Sequence, residues 1–298
     1  MKSKQIIIPF IVSLLLAPLA SVVAWREGGA SAGGTAVKCL FALTVLVEVV
    51  ALAQAISAKK LFSRGDAGYL TWTLIVAFLM IRLIAELRLI TLTFNLVHVP
   101  GNIDMASPGL FFYVVWLRYL YTLSDLLFIG ALVSAIRTYK MTGLTFNLEV
   151  ADYIYILLVL AVPSLTYIFK SNLGSAGLIT LDNYIATYRL VAVLFGGAIA
   201  ALCLAVRRYA SQMGGGAVAR VWNAVVVAGI ARDASFLTLA LISRSWRPVA
   251  EFGEQYLLFV FAVCWLLAGL YQQEIVPGAR KPSVMAHTKQ AQGSIAGS

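Results

Sequence analysis

Apolar runs long enough to cross a bilayer follow one another from end to end of the chain, joined by short polar connections. A crossing helix needs about 20 mainly apolar residues at roughly 1.5 Å of rise each. The pattern predicts such helices over residues 5–25, 36–58, 69–93, 109–136, 150–169, 184–206, 217–242 and 252–272. With so little chain between them, no soluble catalytic or DNA-binding domain has room to fold. The expected fold is all-α: a polytopic transmembrane helical bundle of seven or eight spanning helices. Residues 26–272 would form the bundle. Residues 273–298, with Pro277, Gly278, Pro282 and Gly293 among few large apolar side chains, would form a disordered cytoplasmic tail.

Residues 1–25 are open to two readings. Lys2 and Lys4 precede an apolar run that ends in small residues, with Val22 and Ala24 placed as a signal peptidase accepts them before a cut at Trp25. Cleavage there would leave seven helices with the N-terminus outside. Retention would leave eight, kinked at Pro9 and Pro18, with both termini inside.

Composition strengthens the membrane reading. Hydrophobic residues make up 61% of the chain, charged residues 12%, and the mean hydropathy is +0.88, so lipid or other helices must solvate most side chains. The net charge of +10 is topological in origin and does not point to nucleic acid. Lys2, Lys4, Lys59, Lys60, Arg64, Arg137, Lys140, Arg207, Arg208, Arg220, Arg280, Lys281 and Lys289 fall at the termini and in alternate connections. Arg26, Lys38, Lys170, Arg244 and Arg247 fall on the other side. The positive-inside rule assigns the richer set, and the C-terminus with it, to the cytoplasm of a plasma or bacterial inner membrane.

Scarce cysteine and histidine exclude several chemistries. Cys39, Cys203 and Cys264 lie in separate predicted helices and form no pairing pattern, so reduced, buried thiols are expected. His98 and His287 are the two histidines, and neither is in a predicted span, which excludes intramembrane bis-histidine haem or zinc sites. The last span contains no lysine for a retinal Schiff base. No nucleophile elbow or zinc signature occurs, so catalysis is not the expected role; neither cofactor nor metal is expected.

The functional lead lies in charges at bilayer depth, which cost several kcal/mol unless paired or wetted. Glu48, Arg82, Asp125, Arg232 and Asp233 should lie near mid-membrane; Glu86, Arg88, Arg118 and Arg189 should lie in the outer half. Arg82 and Glu86 share a helix face, as do Arg118 and Asp125. One reading is a structural ion-pair network that fixes helix register, with Arg88 and Arg189 snorkelling outward. The other makes Glu48, Arg82, Glu86, Arg118, Asp125, Arg189, Arg232 and Asp233 the lining of an extracytoplasmic cavity. There a positive surplus would favour an anionic or zwitterionic small molecule, helped by Tyr113, Tyr119, Tyr121, Tyr184 and Tyr188. Pro163 should kink the fifth span, and Gly196 with Ala200 should allow close helix approach. Trp116 and Trp265 are expected deep in the bundle, as packing.

The fourth and sixth spans end alike: Ala131-Leu132 through Ala135-Ile136-Arg137-Thr138-Tyr139 is echoed by Ala201-Leu202 through Ala205-Val206-Arg207-Arg208-Tyr209. Duplication of a helical hairpin and chance convergence under the positive-inside bias both account for this. The expected function is a sensor- or receptor-like ligand-binding bundle with a cytoplasmic partner. The alternatives are a small-molecule transporter and an accessory subunit of a larger membrane complex.

Overall fold

The structure, a computed structural model, describes residues 34–93, 108–141, 143, 150, 152–154, 157, 181–212, 216–241 and 247–275. Six long helices dominate: α1 (Gly34–Lys59), α2 (Ala67–Thr93), α3 (Pro108–Met141), α4 (Leu181–Gln212), α5 (Gly216–Leu241) and α6 (Arg247–Ile275). No strand occurs among the described residues. The predicted first span with its signal-peptide question, most of the fifth span with Pro163, the two histidines and the tail beyond Ile275 lie outside them.

Local chemistry sets the helix ends. Pro108 occupies the first position of α3, where its fixed φ suits a helix and its missing N–H costs nothing. Beyond the last residue of α3, Gly143 takes a φ of 81° and donates its N–H to the Lys140 carbonyl at 3.1 Å, a left-handed stop that a Cβ would oppose. Gly216, at φ 72°, opens α5 after Gly214 and Gly215. The turn between α1 and α2 is tied by Asp66. Its carboxylate accepts from the Ser63 N–H at 2.5 Å, and its own N–H returns to the Ser63 carbonyl at 2.9 Å.

Helices α3 and α4 run past the predicted ends of 136 and 206 and carry Arg137, Lys140, Arg207 and Arg208 as helical residues. Hydropathy marks where the apolar layer stops, whereas backbone hydrogen bonding continues into the headgroup layer, where long cationic side chains reach water.

The described helices close into a ring. Helices α2 and α3, α3 and α4, α4 and α5, and α5 and α6 pack side by side. Helix α1 fills the remaining gap between α6 and α2. Its contact with α6 depends on Gly269, where a Cβ would come within 2.8 Å of Gln54 Cβ and 3.1 Å of the Gln54 backbone. Beside it, Gln273 Nε2 donates to Gln54 Oε1 at 2.8 Å. Helices α1, α3, α4 and α6 run in one direction and α2 and α5 in the other, so Lys59, Lys140, Arg208 and Arg220 gather at one end of the ring, called the basic end, and Thr93, Leu241 and Arg247 at the far end.

Polarity is inverted relative to a soluble protein. Leu43, Leu46, Leu70, Leu87, Leu126 and Val227 are exposed on the outside, while Glu48, Arg82, Glu86, Asp125, Arg232 and Asp233 are buried inside. Among the described residues, four helical stretches, Gly34–Lys59, Trp116–Met141, Leu194–Gln212 and Ala250–Ile275, are long and apolar enough to cross a bilayer. Helices of this length and composition, with apolar side chains outside and charges within, make the chain a membrane protein.

Three expectations about single residues need correction. Trp116 is 58% exposed on the outer face of α3, whereas Trp265 is buried at the centre. Tyr119, also 58% exposed, faces away from the interior. Cys39 is exposed, and only Cys203 and Cys264 are buried; all three are free thiols. The cause is the same each time: a helix turns each successive residue by about 100°, so depth along the axis does not tell which way a side chain points.

Candidate functional site

Helix spacing and ring closure together build two arginine centres in the far half of the bundle. In the first, Arg82 of α2 donates Nε to Glu48 Oε1 of α1 at 2.9 Å and Nη2 to Glu86 Oε1, one turn on, at 3.1 Å. All three side chains are at most 2% exposed. The guanidinium face lies 4.3 Å from the centroid of Phe261 of α6 and 5.9 Å from that of Tyr121 of α3, so ring electrons cover what the carboxylates do not.

The second centre forms across the bundle. Arg232 of α5 donates Nη2 to Asp125 Oδ2 of α3, and both are buried. Asp233, the next residue, is also buried and presses its carboxylate against Gly196 of α4, where any Cβ would collide with Oδ1. That oxygen accepts no hydrogen bond among the described residues. The close helix approach expected at Gly196 and Ala200 therefore makes room for a carboxylate.

Above these centres, toward the far end, lies a cavity of about 270 Å³ lined by Arg82, Glu86, Arg118, Tyr121, Glu254 and Gln255, with Leu89, Leu117 and Leu258 as its apolar wall and Ser235 at its edge. Below them, Phe78, Phe128, Phe261 and Trp265 form a dense aromatic layer. Phe78 stacks on Phe128 at 4.9 Å, and Trp265 packs against both, at 5.3 and 5.1 Å. This layer separates the polar half from the basic end.

Of the predicted site residues, the structure brings Glu48, Arg82 and Glu86 into one contact group and pairs Asp125 with Arg232, while Asp233 lies against Gly196. Arg118 lines the cavity with contacts of its own. Arg189 falls within α4, but its side chain lies outside the described residues. Tyr121 reaches the site; Tyr113, Tyr184 and Tyr188 have side chains outside the described set.

Glu254, Gln255 and Ser235 also line the cavity and are absent from the predicted site. A signal for Glu254 was present, since it lies inside the predicted span 252–272 and is a charge at bilayer depth like the others. With Arg88 exposed on the outside of α2, the described interior sets Arg82, Arg118 and Arg232 against Glu48, Glu86, Asp125, Asp233 and Glu254. The expected positive surplus also counted Arg189, whose side chain lies outside the described residues.

The basic end is built differently. Trp222 of α5 donates its indole N–H to the Tyr139 hydroxyl of α3, and the Tyr139 and Tyr209 rings stack with centroids 6.1 Å apart. These tyrosines close the two echoing stretches of sequence, which thus lie side by side. Arg208 grips Asp152 Oδ1 through Nη2 at 2.9 Å and Nε at 3.2 Å, and Arg220 covers the Tyr271 ring at 5.4 Å.

Comparison with protein-family models, curated proteins and solved structures returns no match to this chain. Function is therefore read from the site alone.

Proposed function

We propose that the chain is a sensor- or receptor-like bundle of seven or eight spanning helices that captures a small charged molecule in the far-end cavity. In this reading the basic end and the C-terminus face the cytoplasm of a plasma or bacterial inner membrane, because lysine and arginine concentrate there. The cavity then opens toward the extracytoplasmic side, and the short basic connections are the surface a cytoplasmic partner would meet.

The observation that carries the proposal is the stacking of layers along the bundle axis: a cavity with charged and apolar walls at the far end, two buried arginine centres beneath it, and a packed aromatic floor beneath those. A ligand would sit directly on Arg82 and Glu86, whose partners lie on α1 and α6, so occupancy biases the packing of three helices at once. The floor supports capture over passage.

The test is thermal unfolding of the purified protein in detergent against a broad panel of small charged molecules. A true ligand at a hundredfold its Kd adds about 2.7 kcal/mol of stability. That gain should vanish in a cavity-filling Leu117→Trp variant, and the absence of any stabilising molecule across the panel would refute ligand capture.

Transport is the second reading, favoured by one specific feature. Asp233 carries a buried carboxylate oxygen without a hydrogen bond just beyond the Arg232 centre, as a proton- or ion-carrying group in a transporter would. Solute flux into proteoliposomes that depends on Asp233 or Asp125 would establish it. An accessory subunit would instead co-purify from native membranes with fixed partners.

A further inference from the structure

We infer that the Glu48–Arg82–Glu86 centre is a proton-binding site: its two carboxylates share one exchangeable proton, and loss of that proton loosens α1 from α2. The inference goes beyond ligand capture and does not rest on it.

The geometry crowds two like charges onto one partner. Nε–H and the Nη2 group lie on the same edge of a planar guanidinium, and Arg82 uses them for different carboxylates: Nε for Glu48 Oε1 at 2.9 Å and Nη2 for Glu86 Oε1 at 3.1 Å. The two oxygens are therefore neighbours on one edge, and a single positive charge faces two acids. Both acids are buried, so water does not screen the second charge. Two carboxylates that share a site in this way do not both ionise readily, and a proton on one of them replaces repulsion with neutrality.

The neighbouring elements supply no further cation to make up the difference among the described residues. Tyr121 of α3 gives Glu86 a hydrogen bond and sets its ring 5.9 Å from Arg82, but it brings no positive charge. Asp125 of α3 also faces Arg82, and it is matched by Arg232 of α5. Arg118 of α3 lines the cavity together with Glu254 of α6, whose negative charge acts on Glu86, and Glu251 stands one turn before Glu254. Phe261 of α6 covers the Arg82 face. Around the centre, Arg82, Arg118 and Arg232 thus meet Glu48, Glu86, Asp125 and Glu254.

A proton fits where a metal ion does not. Glu48 Oε2 and Glu86 Oε2 are shut off from solvent, which leaves no space for a cation with its ligand shell. No group of three or more histidine, cysteine, aspartate or glutamate side chains among the described residues is arranged to hold one. Release is an acid dissociation: the carboxyl O–H bond breaks, its electron pair stays on the carboxylate, and the proton passes to water in the cavity that Glu86 and Tyr121 line. The centre is then left with a net negative charge. Glu48 is its one member on α1, so the repulsion acts between α1 and α2, while α1 keeps its tie to α6 through Gln54 and Gln273.

Infrared spectra and unfolding curves of the full chain in detergent micelles, taken from about pH 5 to 9, test this. A protonated carboxyl absorbs apart from carboxylates and amides and can be counted directly. The expected result at neutral pH is a protonated-carboxyl band that shrinks by one group in Glu48→Gln, and likewise in Glu86→Gln, because either amide leaves Arg82 with one carboxylate. Asp233→Asn should retain that component. The folded chain then binds one proton more than the unfolded chain, whose glutamates ionise near about 4.3. Stability therefore falls as pH rises: until the folded centre releases its proton, the unfolding equilibrium constant increases about tenfold per pH unit, and the slope is lower by one proton in each amide variant.

Bands of equal size in the wild type and both amide variants, or loss of the band in Asp233→Asn alone, would put the proton elsewhere and overturn the inference. Equal pH slopes in the wild type and both amide variants would do the same. So would a wild type with no protonated-carboxyl band at neutral pH, a result that needs no variant to fold.

Discussion

Replacing Arg82 with methionine should be the most damaging single change in the described bundle. The guanidinium is 2% exposed and makes hydrogen bonds of 2.9 and 3.1 Å to two carboxylates that are themselves almost fully buried. Each charge-assisted bond contributes about 1.5–3 kcal/mol, and the contact with Phe261 about 2 kcal/mol where desolvated. Breaking a buried pair typically costs 3–5 kcal/mol, because the remaining charge is stranded. Here two carboxylates are stranded, on α1 and α2, so the upper end of that range, about 5 kcal/mol, is expected for Arg82→Met.

The same reasoning predicts recovery. Replacing all three members, with Glu48→Leu, Arg82→Met and Glu86→Leu together, removes every charge from the centre and should return stability to wild type or exceed it by about 1–4 kcal/mol. Unfolding by SDS titration in mixed micelles gives both values. A loss below about 1 kcal/mol for Arg82→Met, or a triple variant no more stable than the single one, would refute the view that burial of uncompensated carboxylates governs this region.

Other outcomes follow from packing and exposure. Gly196→Ala should cost about 1–3 kcal/mol because its Cβ meets the Asp233 carboxylate, whereas Gly130→Ala, which meets only Leu74 Cδ1 at 3.7 Å, should be neutral or stabilise by up to about 1 kcal/mol in the same SDS titration. Tyr139→Phe leaves the buried Trp222 indole N–H without its acceptor and should cost about 1–3 kcal/mol, accompanied by a change in tryptophan fluorescence. A membrane-permeant maleimide should label Cys39 in the native protein and reach Cys203 and Cys264 only after denaturation; mass spectrometry of labelled peptides reads this directly. Cysteines introduced at Lys59 and Arg137 should react with an impermeant maleimide only in inside-out vesicles, and reaction from the outside would reverse the proposed orientation.

Much of the architecture was legible before any coordinates. Run length alone locates α1 to α6 to within a few residues, because the need to satisfy every backbone N–H and C=O inside lipid leaves helix as the form such runs can take. Most of the charges expected at bilayer depth, Glu48, Arg82, Glu86, Asp125, Arg232 and Asp233, are ones the structure buries, and charges in apolar runs stand out because their burial is costly unless they are paired. Arg82 and Glu86, four apart on one helix, could be paired from spacing.

What the chain order could not supply is the partner on another helix. That Arg82 reaches Glu48, that Arg232 meets Asp125, and that Asp233 takes the space left by Gly196 all depend on rotation of each helix about its axis and on which helices are neighbours. Hydropathy carries no information on either. Rotation also explains why Tyr119, Trp116 and Cys39 face outward despite their depth, and why Glu254 and Gln255 of α6 join residues of α2 and α3 in one cavity. Composition and periodicity determined that the chain is a membrane helical bundle with charges inside it. The tertiary packing alone decided which of those charges meet, because pairing across helices depends on the rotation of each helix and on its neighbours.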